Sequence, residues 1–178
     1  MVLNPHRAVA LCAAVLMVFV FSAPNAIAQT ANGKLQPPKE RKLARELALE
    51  DSDGKRANLK EYRGTVVVLD FWATWCHGCK EEIPWFAEFQ RKYGEQGLHV
   101  VGVSLDEDGW KVVKPFIKAM SVPYRIVLGN QSTVKAYAIE QMPDTFLIDR
   151  KGRVAATYVG MVDRNGIEKN IRQLLAQK

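Results

Sequence analysis

Apolar residues occur along this chain in two patterns that predict two kinds of secondary structure. Continuous runs rich in β-branched side chains are typical of strands buried on both faces of a sheet. Such runs predict strands at residues 65–71, 98–105, 124–128, 145–148 and 154–159. Apolar residues at helical spacing predict helices at residues 77–93, 108–120, 131–137 and 165–177. Asp106 or Asp108 is the expected cap of the second of these helices.

The order of these elements predicts an α/β fold with a central mixed sheet flanked by helices. Strands alternate with helices through most of the chain, and the turn 149–152 then joins the last two strands as a hairpin before a closing helix. An added N-terminal hairpin is predicted from the apolar residues in 43–50 and 55–59, which flank a turn at 51–54. Residues 60–64 are expected to form a short turn or a single helical turn.

Residues 1–28 have the three-part layout of a secretory signal peptide. His6 and Arg7 give a short positive start, the uncharged apolar run 8–21 follows, and the A-x-A site is residues 26–28. This run is shorter than the roughly 20 residues that a membrane-spanning helix needs. An uncleaved membrane anchor is the alternative if the residues after the run extend the span.

The polar residues 29–41, which include two consecutive prolines, are expected to form a linker to a domain at 42–178. The whole chain is 48% hydrophobic and 25% charged, which is typical of a globular protein and excludes a disordered one. Its net charge is +6, but the basic residues are scattered. We therefore expect a solvated surface and no nucleic-acid partner.

The cysteines limit the chemistry that the exported domain can perform. Cys12 lies in the leader, so only Cys76 and Cys79 remain in the domain, which is too few for a disulfide-dense scaffold. In oxidising surroundings this close pair needs either a mutual disulfide or a specific task. Covalent haem attachment needs a histidine after the second cysteine, but Lys80 stands there. We expect no cofactor and no resident metal.

The segment Trp72–Cys79 places the pair where a buried strand ends and a helix begins. Cα atoms three residues apart on a helical turn are separated by roughly 5 Å, which suits a disulfide. Free amides and the helix dipole favour the thiolate of Cys76, which makes it the expected nucleophile. His77 adds to this effect when it is protonated. Cys79, one turn into the helix, is the expected resolving cysteine.

Two acidic residues are candidates for taking the proton from the resolving cysteine. Asp70 lies near the end of the buried strand, where burial would raise its pKa and prepare it to accept a proton. Glu82 lies three residues after Cys79, on the same helical face. The alternatives are that Asp70 faces solvent at the strand end and that Glu82 is an ordinary surface residue.

From Val67 to Pro84 the sequence resembles the thioredoxin superfamily, and in particular the exported TlpA/ResA-type thiol–disulfide oxidoreductases. The similarity covers about Leu43–Leu175. Asp70 falls on the buried acid of the thioredoxins, and Glu82 falls on an active-site glutamate of the ResA-type branch. The resemblance therefore implies a thioredoxin-like fold and a catalytic role for both acids.

A second segment, Met142–Asp149, resembles the part of this family that contains a cis-proline. The resemblance implies that Pro143 is cis against the cysteines and that the Met142 backbone pairs with an extended substrate. Trp75 and His77 are expected to border this substrate site, with plain packing as the alternative for Trp75. The dipeptide His77-Gly78 replaces one that often includes proline in this family, which leaves the redox potential open.

The resemblance implies a periplasmic thiol–disulfide oxidoreductase that reduces exported proteins such as apocytochrome c or oxidase-assembly factors. Cys76 would attack the target disulfide, Cys79 would release the reduced target, and a membrane thiol reductant would restore the pair. Two alternatives remain open. One is a thiol oxidase of the same fold, and the other is a Cu(I) carrier that uses the two sulfurs and a methionine such as Met142.

Overall fold

The computed structural model describes residues 33–177, so the predicted leader 1–28 and the first part of the predicted linker lie outside the described residues. The strands are β1 (Ala48–Glu50), β2 (Arg56–Asn58), β3 (Val66–Trp72), β4 (Leu98–Ser104), β5 (Arg125–Leu128), β6 (Asp144–Ile148) and β7 (Val154–Val159). The helices are α1 (His77–Tyr93), α2 (Trp110–Ala119), α3 (Gln131–Tyr137) and α4 (Arg164–Leu175), with short 3₁₀ segments at Leu59–Tyr62 and Gly94–Gln96. Within residues 33–177, no helix is both long enough and apolar enough to cross a membrane.

The main sheet has five strands in the order β5–β4–β3–β6–β7. β3, β4 and β5 are parallel, whereas β6 runs antiparallel to β3 and to β7. β3 lies in the centre and all of its residues are buried, as its continuous apolar run predicts. β1 and β2 form a separate antiparallel hairpin. The predicted thioredoxin-like fold, with a mixed sheet between helices and an added N-terminal hairpin, is confirmed.

The two faces of β3 are covered by different elements, because successive side chains on a strand point to opposite faces. Val68 and Trp72 belong to a core cluster that includes residues of α1, α2 and α4. Leu69 and Phe71 belong to a second cluster, formed with α3 and the hairpin. The end of β3 is therefore held from both sides, and the loop that follows it begins from a rigid position.

Helix α2 begins at Trp110, two residues later than the sequence predicts. Its N-cap is Gly109, which has φ 54°, in the left-handed region that glycine favours. The prediction that Asp106 or Asp108 caps this helix is therefore wrong. The Asp106 carboxylate instead accepts hydrogen bonds from the loop that precedes the cysteines.

The described part of the predicted linker, residues 33–41, packs along β7 and is not a free tether. The backbone N–H groups of Gly33 and Gln36 donate to carbonyl groups of β7, at 3.0 Å and 2.8 Å. Arg41 is buried, and its Nη1 lies 3.1 Å from Asp149 Oδ2. Burial alone would raise the pKa of Asp149, but hydrogen bonds from Arg153 and Arg41 hold it below its ordinary value. The polar composition of residues 33–41 therefore did not reveal that Arg41 forms a buried ion pair with Asp149.

Candidate active site

The two cysteines lie at the junction of β3 and α1 and are joined by a disulfide. Cys76 is the N-cap of α1, and its Sγ accepts a hydrogen bond from the backbone N–H of Cys79 at 3.2 Å. Their Cα atoms are 5.3 Å apart. Cys76 is 6% exposed and Cys79 is fully buried. One sulfur is therefore partly accessible at the helix N-terminus while the other is sheltered beneath it.

The N-terminus of α1 is suited to a sulfur anion at the Cys76 position. The backbone N–H of Cys79 donates to Sγ, and the positive end of the helix dipole favours negative charge there. His77 comes next, but its side chain is 92% exposed and its Nε2 lies 3.3 Å from Glu81 Oε1. Any positive charge on His77 therefore faces the carboxylate of Glu81, and the helix N-terminus is the main support for the thiolate.

Asp70 is fully buried on the face of β3 that packs against α1. Its Oδ1 accepts a hydrogen bond from Thr145 Oγ1 at 3.3 Å, and its Oδ2 has no hydrogen-bond partner among residues 33–177. Burial first, and then the nearby charge of Glu82, raise the pKa of Asp70 well above its ordinary value. This shift favours the protonated form of Asp70, and the solvent-facing alternative is wrong.

Glu82 is also fully buried, so the alternative of a surface glutamate is wrong as well. Its Oε1 accepts a hydrogen bond from the backbone N–H of Val162 at 2.5 Å. Burial raises the pKa of Glu82 to about 7, and the hydrogen bond from Val162 limits that rise. A carboxyl group with a pKa near neutrality is well matched to accepting and returning a proton. This pKa makes Glu82 a candidate acceptor for the proton of Cys79.

The cis-proline segment lies against the cysteine-bearing helix. The Met142–Pro143 peptide bond is cis, and the Pro143 carbonyl accepts a hydrogen bond from Gly160 N–H at 2.9 Å. Pro143 Cδ lies 3.4 Å from the position that a Cβ on Gly78 would occupy. Met142 is half-buried, and Trp75 is 67% exposed beside a shallow hollow. The structure therefore brings the predicted proline and the two cysteines to one end of the sheet.

Sequence reasoning missed the role of Asp106. Its Oδ1 accepts a hydrogen bond from Thr74 Oγ1 at 2.6 Å, and its Oδ2 accepts from the Thr74 N–H at 3.0 Å and from Ser104 Oγ at 2.9 Å. These bonds tie the loop that precedes Cys76 to the end of β4. The sequence order carried a signal for this contact. β3 and β4 are adjacent parallel strands whose carboxyl ends meet, and Thr74 and Asp106 each follow one of these ends.

A third buried acid, Asp144, directly follows the cis-proline. Burial raises its pKa to about 7, and in the described part of the chain its Oδ1 has no hydrogen-bond partner. Its charge adds slightly to the raised pKa of Asp70. Within residues 33–177, no group of three His, Cys, Asp or Glu side chains is arranged to hold a metal ion.

Comparison with known proteins gives a consistent result. Residues 41–157 match the AhpC/TSA family. The chain is similar to the thiol-disulfide oxidoreductase ResA of Geobacillus thermodenitrificans, with 33% identity over 132 residues, 74% of this chain and 75% of that protein. It is 36% identical over 121 residues to ResA of Bacillus subtilis, which covers 67% of this chain and 66% of that one.

Among solved structures, a Chlorobium tepidum protein described as a thiol:disulfide interchange protein DsbE has a TM-score of 0.73 and 32% identity. The similarity covers 76% of this chain and 97% of that one. The resemblance to ResA-type proteins is thus confirmed, and the paired cysteines stand at the helix N-terminus where disulfide exchange needs them. The chain belongs to the AhpC/TSA family, as a thioredoxin-like thiol–disulfide oxidoreductase whose redox centre is the Cys76–Cys79 pair.

Proposed function

We propose that this protein is an exported reductase that opens disulfides in other exported proteins. The observation that carries the proposal is the asymmetry of the pair, since Cys76 keeps 6% exposure at a helix N-terminus and Cys79 is fully buried three residues before Glu82 in α1. An accessible, activated sulfur can attack a target. A sheltered sulfur next to a proton acceptor can then complete the exchange.

The reaction begins with the reduced pair. The Cys76 thiolate attacks one sulfur of the target disulfide, and the other target sulfur leaves with the bonding electrons and takes up a proton. Glu82 accepts the proton of the Cys79 thiol, and the resulting thiolate attacks Cys76 Sγ. The target leaves with its second sulfur reduced. The target has then gained two electrons from the pair and two protons, one from solvent and one that Glu82 returns, and the Cys76–Cys79 disulfide has formed.

The buried acids favour this direction of electron flow. A negative charge on Glu82 opposes a thiolate on the buried Cys79, so the reduced pair gains little stability from ionisation of Cys79 relative to the disulfide. Burial and the charge of Glu82 raise the pKa of Asp70, which favours its protonated form. In this arrangement Glu82 is the group that exchanges the proton with Cys79.

The substrate would lie across the end of the sheet. We assign its binding to Trp75, His77, Met142 and Pro143. Trp75 offers an exposed apolar surface next to Cys76. By resemblance to the family, the Met142 backbone would pair with an extended target segment, as in strand addition.

We place the protein in the periplasm, on the basis of the predicted signal peptide at residues 1–28. The targets would be exported proteins with disulfides, such as apocytochrome c or oxidase-assembly factors, as the resemblance to exported relatives implies. The oxidised pair would be restored by a membrane thiol reductant. An uncleaved leader would serve as a membrane anchor and keep the domain close to that reductant.

The test is a trapping experiment in cells. The Cys79→Ala variant lacks the resolving sulfur, so targets should remain joined to Cys76 as mixed disulfides that dithiothreitol releases. The Cys76→Ala variant is the matched control and should trap nothing. A Cys79→Ala variant that is exported and folded but carries no mixed disulfides would contradict the proposal.

The direction of electron flow has a separate test. The equilibrium of the purified pair with glutathione should give a reduction potential below the range of the glutathione couple, because a negative charge on Glu82 opposes a thiolate on Cys79. A potential well above that range would make the protein a thiol oxidase instead.

A further inference from the structure

The loop between β7 and α4 forms hydrogen bonds with residues of the redox site at both of its ends. The N–H of Gly160 donates to the Pro143 carbonyl at 2.9 Å, and the N–H of Val162 donates to Glu82 Oε1 at 2.5 Å. The Val162 side chain is buried in the main core. Met161 lies between these two fixed points. Its side chain therefore projects from a backbone held in place by the cis-proline and by the buried glutamate.

The Met161 side chain covers Gly78, the second residue between the cysteines. A Cβ on residue 78 would lie 2.9 Å from Met161 Cγ, 3.4 Å from Met161 Sδ and 3.4 Å from Pro143 Cδ. The first of these distances is shorter than real Cβ atoms tolerate. A side chain at residue 78 would therefore require the Met161 side chain to shift.

Met161 remains 45% exposed even though it is in contact with the redox site. Trp75, which is 67% exposed, lies beside the loop that follows β4. Cys76 itself is 6% exposed. Scattered apolar residues on a surface are ordinary, but Trp75 directly precedes Cys76 in the chain and Met161 packs against Gly78, two residues after Cys76.

We propose that Met161 determines specificity by packing against an apolar side chain next to the target cysteine. This inference rests on the reductase function proposed above. A thioether on an unbranched, flexible side chain adapts to partners of different shape and makes favourable contacts with aromatic rings. A polar target residue at the same place would lose contact with water and gain no hydrogen bond from the thioether. The preferred target is an extended segment with an aromatic or long aliphatic residue beside its cysteine.

The thioether takes no part in disulfide exchange, so its contribution belongs to binding. Loss of Met161 should raise the half-saturating concentration of a target with an apolar neighbour and leave the maximal rate unchanged. It should not change the reaction with a small linear disulfide such as 2-hydroxyethyl disulfide, which carries no neighbouring side chain. A general loss of structure would impair all of these reactions together.

The test uses pre-reduced protein in single turnover with two disulfide-containing peptides that differ only in the residue beside the cysteine, Phe in one and Ser in the other. The wild type should reduce the Phe peptide roughly tenfold more efficiently, which corresponds to about 1.4 kcal/mol. The Met161→Ala variant should lose this preference, and Met161→Leu should retain most of it. Leu43→Ala, which shortens another exposed apolar side chain outside the site, is the matched control and should behave like the wild type.

The outcomes separate the two proposals. Equal preference in the wild type and in Met161→Ala would overturn the role of Met161 and leave the reductase function intact. A wild-type protein that reduces both peptides equally well would have the same consequence. A wild-type protein that reduces neither peptide would overturn the reductase function and the role of Met161 together.

Discussion

Glu82→Gln should make the oxidised protein more stable at alkaline pH, although it removes a charge-assisted hydrogen bond. In the folded protein burial raises the pKa of Glu82 from 4.5 to about 7. Between these two pH values the folded protein holds a proton that the unfolded chain has released. The folded state therefore loses stability as the pH rises through this range, and the loss is complete above the folded pKa. Glutamine does not ionise, so the variant avoids this loss.

The size of the effect follows from the two pKa values. Each pH unit in this window contributes about 1.4 kcal/mol, so the wild type should lose about 3 kcal/mol from this residue between pH 4.5 and pH 8. The glutamine oxygen can still accept the hydrogen bond that Val162 N–H donates to Glu82. The two proteins should therefore be similar in stability at pH 4.5, and the variant should be more stable at pH 8 by up to about 3 kcal/mol.

Urea unfolding of the oxidised protein at several pH values measures this difference directly. Glu95→Gln removes an exposed carboxylate from the chain segment just beyond α1, and it is the matched control for the loss of one carboxylate. A stability difference between wild type and Glu82→Gln that stays constant from pH 4.5 to pH 8 would refute the reasoning. Glu82 would then not titrate near neutrality, and another group would have to accept the proton of Cys79.

Two further predictions concern contacts that the sequence did not reveal. Asp106→Ala should lower the free energy of unfolding in urea by about 1–3 kcal/mol, because it leaves the hydrogen-bond donors of Thr74 and Ser104 without this acceptor. The variant should also slow alkylation of the Cys76 thiolate. The same effects in the exposed neighbour variant Asp108→Ala would contradict this prediction. Arg41→Ala should lower the stability in thermal or urea unfolding by less than the roughly 3–5 kcal/mol of a fully unpaired buried charge, because Arg153 still pairs with Asp149. A change no larger than that of the exposed Lys39→Ala would show that the buried pair is unimportant.

The central elements were predictable because their sequence patterns are strong. The run Val66–Leu69 has a single reasonable interpretation as a buried strand, and the spacing of apolar residues after His77 defines α1. The position of the cysteines at this junction follows from the two elements together. The family resemblance then supplied the cis-proline segment, which local patterns do not identify.

The remaining features depend on contacts between residues that are distant in the chain. Arg41 pairs with Asp149, which lies 108 residues later, so composition alone made its segment look like a free linker. The burial of Glu82 depends on Val162, which is 80 residues away. Met161 is a single residue in a short loop, and no periodic pattern marks it. The start of α2 was misplaced because the backbone of Gly109, and not an acidic side chain, determines where that helix begins.

The residues that precede β3 also protect the sheet from other chains. β5 and β7 are the outermost strands of the main sheet, and an open outer strand can pair with a strand of another molecule. Residues 33–36 form hydrogen bonds along β7, and Asp51 makes a bridge with Val127 of β5. A shortened chain that starts at β3 would expose both outer strands at once. We expect such a fragment to self-associate even if its redox centre were intact. The N-terminal segment therefore limits aggregation by covering the two outer strands.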